Sequence, residues 1–338
     1  MIESSRQKKY LIITGLLVIA AFTVSLRVGR YPIPAGEIAA ILMNGKAAPA
    51  VRAVFLTLRL PRTVMALLAG AGLGMTGSVF QLIFKNPLAA PDIVGVSSGA
   101  NLGAALAVVL FGRDMALTAP LAFLGGLLAL LSVSGMTRLG KSSGTVSFIL
   151  CGIIIRAVSD ALIMILKYFS DPERELAAIE YWSMGSFSGI TASKLASVTP
   201  FFITGFAGLA LMRRQITLLG LEDDECRALG VNVNLIRTVV MAFSALTVAS
   251  IICQTGLIAF AGLIAPHAAR LAVKRVNFVW CALSSLTGAL IMLISDCLAR
   301  GVFAVEIPVS VATTFIGAPV LLFFMWNRRA YRILSRDS

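Results

Sequence analysis

The sequence predicts an all-α polytopic membrane protein. About ten transmembrane helices form a single domain over residues 1–338, with both termini in the cytoplasm. Three observations predict it. The chain is 58% apolar and 13% charged, whereas soluble domains are about 45–50% apolar and about 25% charged. Its apolar runs are continuous and about 20 residues long, the length a helix needs to cross about 30 Å of hydrocarbon. Barrel strands would instead alternate apolar and polar residues over about ten positions. Finally, both ends are basic: Arg6, Lys8 and Lys9 at one, Arg328, Arg329, Arg332 and Arg336 at the other. The positive-inside rule puts both ends in the cytoplasm, so the number of spans is even. The net charge of +13 flanks the apolar runs and forms no single face. That pattern speaks for topology and anionic-lipid contacts, not for nucleic acid.

The first apolar run, 10–26, follows basic residues as a signal peptide would. It is too long for one and no A-x-A site follows, so it is an uncleaved first span. Next come 63–84, 93–112, 115–137, 142–166 (interrupted only by Arg156 and Asp160), 195–212, 238–269, 276–295 and 307–327. Nine runs conflict with even parity. The run 238–269 is too long for one helix and is punctuated by Gly256 and Pro266. Two crossings with a short second limb make ten, and such a limb is one way to line a transport path. Polar segments between runs are too short for an independent soluble core. The five cysteines show no C-x-x-C spacing and read as small apolar residues.

Between the spans, Arg59-Leu60-Pro61-Arg62 starts a helix with two cations at the outer mouth. Asn86-Pro87-Leu88-Ala89-Ala90-Pro91 is an inner corner, and Asn86 and Leu88 would line any constriction there. Residues 168–194 form an outer segment in which Asp171-Pro172-Glu173 begins a short helix reaching Tyr181 and Trp182. Residues 213–237 are a polar island on the inner side, holding Glu222, Asp223, Asp224 and Glu225, four of the sixteen acidic residues. The acids start a helix over 222–229 that Gly230 closes. Its apolar side, Leu221, Ala228 and Leu229, is the expected contact for a soluble partner.

Other patterns match motifs without their context. Residues 135–142 fit G-x-x-x-x-G-K-[ST], but a phosphate loop joins a strand to a helix, and both flanks here are membrane helices. Gly72, Gly74 and Gly77 fit a dinucleotide fingerprint, yet they sit inside an apolar helix, where glycines permit close helix packing. His267 is the sole histidine and reads as structural. Arg156 and Asp160, four apart within a span, read as a paired strut facing other helices, with a proton or substrate relay as the rival. Asp296 and Arg300 repeat that spacing near an outer end, leaving Arg300 to meet a partner.

Several stretches together resemble the FecCD-type permeases of iron-chelate and cobalamin ABC importers. They are LRLPRTVMALLAGAGLGMTGSVFQLIFKNPLAAPDIVGVSSGANLG (58–103), YWSMGSFSG (181–189), LGLEDDECRALGVNV (219–233), GLIAFAGLIAPHAARL (256–271) and EIPVSVATTFIGAP (306–319). The resemblance implies a non-enzymatic ten-helix subunit in the cytoplasmic membrane of a bacterium or archaeon, paired with a second permease subunit as a homodimer, or in some members a close heterodimer, around a central pathway. It implies two cytoplasmic ATPase subunits, an extracytoplasmic binding protein and a metal-chelate substrate, most simply a ferric siderophore, with cobalamin or haem as alternatives. This chain would bind no cofactor or metal, and ATP and Mg would sit on the partner. By motif, Leu219, Leu221, Glu222, Ala228, Leu229 and Gly230 resemble the ATPase-coupling segment. Asn86 and Leu88, with Ser142 and Ser143, resemble the cytoplasmic gate. Arg59, Arg62 and Arg300 resemble the cations that meet the binding protein. Ser310 stands where the family usually has glycine, which puts packing at the start of the last span in question. Outside the family, the rivals are an ion-coupled carrier using Arg156 and Asp160 and a membrane NTPase using Lys141.

Overall fold

The computed structural model describes residues 2–29, 31–43, 47–112, 115–139, 145–273, 276–302 and 305–326. Helix α1 (Ile2–Arg27) crosses first. Two short outer helices follow, α2 (Ala35–Leu42) and α3 (Pro49–Val54). Neither is marked by an apolar run of spanning length. They bury Ile33, Ile38, Ile41, Val51 and Phe55 in a small core of their own against Leu26. Helix α3 runs through a π-helical turn, Phe55–Arg59, into α4 (Leu60–Ile83). The expected helix start at residues 59–62 is therefore an interior position. The wider turn, in which Leu60 N donates to Phe55 O, carries the chain past Pro61, which has no N–H to give.

The inner corner leads through a 3₁₀ turn, Pro91–Val94, into α5 (Val96–Phe111). Then come α6 (Met115–Leu139) and α7 (Thr145–Phe169). Asp171 caps the outer segment as expected: its carboxylate accepts from Glu173 N at 2.9 Å and Arg174 N at 3.1 Å. The short helix α8 (Ala177–Ser183) follows, then α9 (Ala192–Leu211), α10 (Arg213–Leu218), α11 (Asp223–Ala228), α12 (Val233–Thr255), α13 (Ala261–Ala272), α14 (Phe278–Gly301) and α15 (Val309–Trp326). Among the described residues, seven helices are long and apolar enough to span a membrane, and α5 and α15 are shorter apolar helices. With α13 as the short limb, ten apolar segments emerge.

The break in 238–269 falls where glycine allows it. Gly256 ends α12 at φ +69, and α13 begins after Phe260. Pro266, expected as punctuation, lies inside α13, where its carbonyl accepts from Trp280 Nε1 at 3.0 Å. Irregular backbone at membrane depth must find partners within the protein. Here α15 supplies them. Ser310 Oγ donates to Leu257 O at 2.8 Å and accepts from Ala259 N at 3.2 Å, and Thr313 Oγ1 donates to Ala259 O at 2.9 Å. The hydroxyl of Ser310 thus fills a role at the start of the last span that glycine would leave to another group.

The centre is α4 packed against α14, α13 and α12. Lipid tails are as apolar as leucine, so helices associate by close packing rather than by a hydrophobic drive. The glycines supply the closeness. A Cβ on Gly77 would lie 1.8 Å from Gly262 O of α13, and one on Gly70 would lie 2.2 Å from Gly288 O of α14. The dinucleotide-like pattern is a packing face. The phosphate-loop pattern begins inside α6, whose last residue is Leu139, and its Gly140, Lys141 and Ser142 lie outside the described residues.

Candidate functional site

On the inner side, residues 219–230 form a small platform. Glu222 caps α11 reciprocally: its side chain accepts from the backbone of Glu225, whose own carboxylate accepts from Glu222 N. This is a capping box built with two glutamates. Gly230, at φ +77, closes the helix, and Val231 N reaches back to Cys226 O at 3.0 Å. Cys226 is buried and donates to Leu218 O at 3.0 Å. Burial pushes its thiol up, so it packs rather than reacts. Leu219 is 1% exposed. Within the expected 219–230 coupling segment it anchors the platform from below and is not one of the outward-facing residues. Leu221 (40% exposed), Leu229 (63%) and Ala228 point outward. Arg237 of α12, fully buried, grips Asp223 from beneath, Nη2 donating to both carboxylate oxygens at 2.9 and 3.2 Å.

Beside the platform lies the 85–91 corner. The Oδ1 of Asn86 accepts from Leu88 N at 2.8 Å, so this amide holds its own turn. Leu88 is exposed. Ser142 and Ser143, the other expected gate residues, lie outside the described residues.

The outer cations Arg59, Arg62 and Arg300 are each bonded within this chain, so Arg300 is not left free by its spacing from Asp296. Arg59 donates to the carbonyls of Leu26, Arg27 and Tyr31 at 2.8–3.2 Å. Arg62 bonds Asp296 Oδ1 through Nε at 2.9 Å and Nη2 at 2.7 Å, and Glu306 at 2.5 Å. Arg300 donates to Ser25 O at 2.8 Å and Ser25 Oγ at 2.6 Å, and stands 3.1 Å from Asp296 Oδ2. Asp296 is completely buried. Charges removed from water demand partners, and here α1, α4 and α14 share them.

Arg156 and Asp160 do pair, Nε to Oδ2 at 3.6 Å, but they do not face this chain's helices. Their side chains are 61% and 51% exposed. Helix α7 buries a stripe of Phe148, Gly152, Ser159 and Ile163, and the pair stays exposed at the edge of that stripe. Asp92, also exposed, lies within electrostatic reach of Arg156. Spacing alone does not reveal this, because Arg156 stands four residues after Gly152 and three before Ser159, in phase with the buried stripe.

A model of the FecCD transport family matches residues 16–327. The molybdate import system permease protein MolB of Haemophilus influenzae is 37% identical over 315 residues, 91% of this chain and 92% of that one. The ferric enterobactin transport system permease protein FepG of Escherichia coli is 34% identical over 330 residues, 96% of this chain and 98% of that one. A solved structure, described as an inward-facing conformation of a metal-chelate type ABC transporter, superposes with a TM-score of 0.82 at 33% identity, covering 95% of this chain and 99% of that one.

Proposed function

Because this chain belongs to the FecCD transport family, we propose that it imports a ferric siderophore as one half of a permease pair. At the coarser level it is a multi-pass membrane permease of the metal-chelate type of ABC importer, a transport subunit and not an enzyme. In this reading two ATPase subunits bind ATP and Mg on the cytoplasmic side, and an extracytoplasmic binding protein delivers the chelate. The host membrane is the cytoplasmic membrane of a bacterium or archaeon.

The observation that carries the reading is the platform at 219–230. Three apolar side chains face water there, while Leu219, Cys226 and the Asp223–Arg237 pair pin the segment to the spans. Apolar groups held rigidly in water suit a helix-in-groove seat. ATP-driven closure then moves the platform, and the spans rock around a pathway gated at Asn86 and Leu88 with Ser142 and Ser143. The open face of α7 supports a pathway beside a second subunit. A charge facing lipid at mid-membrane costs about 2.5–3.5 kcal/mol on insertion scales, so Arg156 and Asp160 belong against protein or water.

The substrate is tested in proteoliposomes holding this chain and its ATPase, with the binding protein outside and ATP within. Ferric siderophore is expected to enter faster than haem, cobalamin or molybdate. Preferred uptake of one of the other three would replace the substrate while leaving the family intact.

A further inference from the structure

Among the described residues, two ion pairs of opposite character tie the platform to the membrane body. Asp223 is held by a fully buried arginine. The other tie lies in the open: Lys85 Nζ stands 3.0 Å from Glu222 Oε2, with side chains 30% and 76% exposed. Lys85 opens the 85–91 corner, directly after α4. Its backbone sits at φ +47, the left-handed region that glycine and asparagine enter far more readily than lysine. A glycine would form this turn with less strain, so what lysine adds is its ammonium. That ammonium meets the one carboxylate that also caps α11.

The corner behind Lys85 is braced within itself and against the end of α4. Asn86 N donates to Gln81 O, Ala89 N to Asn86 O, and the Asn86 side chain holds Leu88 N. Its far end, Pro91, rests on Gly262 of α13. Beneath the tie, Gly220 sits over Leu82 in the last turn of α4.

We propose that the Lys85–Glu222 ion pair transmits displacement of the platform to the 85–91 corner, with Asp223–Arg237 as the pivot. This rests on the reading of 219–230 as the ATPase seat. The two pairs suit these parts. Asp223–Arg237 has a fully buried arginine, which is costly to leave without its acid, so this pair stays closed. A half-exposed pair is weak enough to re-form in every cycle, yet it biases where the corner sits.

The test is Lys85→Gly in the complete transporter, because it removes the ammonium and relieves the backbone. If Lys85 only shaped the turn, this variant would transport as well as the parent. The proposal expects unchanged ATPase assembly and thermal stability no lower than the parent's. It also expects uptake per ATP hydrolysed to fall about two- to fivefold, the leverage of one exposed pair. Lys85→Arg restores the ratio. Raising salt from about 50 to about 500 mM lowers the ratio of the parent and leaves that of the glycine variant unmoved, since salt screens exposed charges. An unchanged ratio in Lys85→Gly, or no restoration by Lys85→Arg, overturns the proposal. Loss of ATPase assembly in Lys85→Gly also overturns it, by making Lys85 part of the seat. Failure of the seat reading itself would show separately, as assembly that survives substitution of Leu221 and Leu229.

Discussion

Aspartate at both Leu221 and Leu229 is expected to abolish assembly with the ATPase subunits and, with it, ATP-driven uptake. Fully burying a leucine side chain contributes about 1.5–3 kcal/mol. Losing two such contacts weakens binding by about a hundredfold or more, before the cost of burying two carboxylates is counted. The permease itself should fold as before, because both positions face water, and surface substitutions usually stay within about 0.5 kcal/mol. Aspartate at Leu229 does meet the negative end of α11, an effect of about 0.3–1 kcal/mol. Leu229→Lys, paired with Leu221→Asp, removes that complication and should abolish assembly equally. Pull-down of the ATPase from detergent-solubilised membranes reads the result. Full assembly with both leucines replaced would mean that the ATPase sits elsewhere.

Asp296→Ala is expected to give the largest loss of stability. Asp296 is the buried acid between Arg62 and Arg300, with Arg59 nearby. Deleting it leaves three guanidinium groups against one remaining acid, Glu306. Breaking a buried pair by removing one partner costs about 3–5 kcal/mol. The melting temperature in detergent should fall sharply and the yield of folded protein with it. Asp296→Asn keeps an acceptor for Arg62 and should lose less. If the three arginines instead stood free to receive a partner, Asp296→Ala would leave the melting temperature near that of the parent. The α1–α4–α14 junction is therefore read as a structural clasp.

Much of this was legible along the chain because membrane helices announce themselves locally. Run length and charge parity called for a break and a short limb within 238–269, and of the two punctuating residues it is Gly256, not Pro266, that ends a helix. The acids at 222–225 followed by Gly230 marked α11, since capping depends on residues three or four apart. What was not legible depended on distant partners. Arg62 lies 234 residues from Asp296, and nothing local distinguishes a clasped arginine from a waiting one. Leu219 and Leu221 are alike in sequence, yet a turn sends one into the core and the other into water. The small core under α2 and α3 was hidden because those helices are shorter than any span. Arg156 and Asp160 announced their pairing by spacing, while the face they occupy needed the packing of α7.

The central claim, that transport through this chain is driven from the platform by a partner's ATP, has one direct measurement. Chelate uptake is followed in proteoliposomes under two conditions. One holds the chain with its ATPase, binding protein and internal ATP, the proton gradient collapsed. The other holds the chain alone with a proton gradient imposed and no ATP. Uptake in the first and none in the second is the expected result. Uptake by the chain alone, driven by the gradient, would contradict the account and give Arg156 and Asp160 the central role instead.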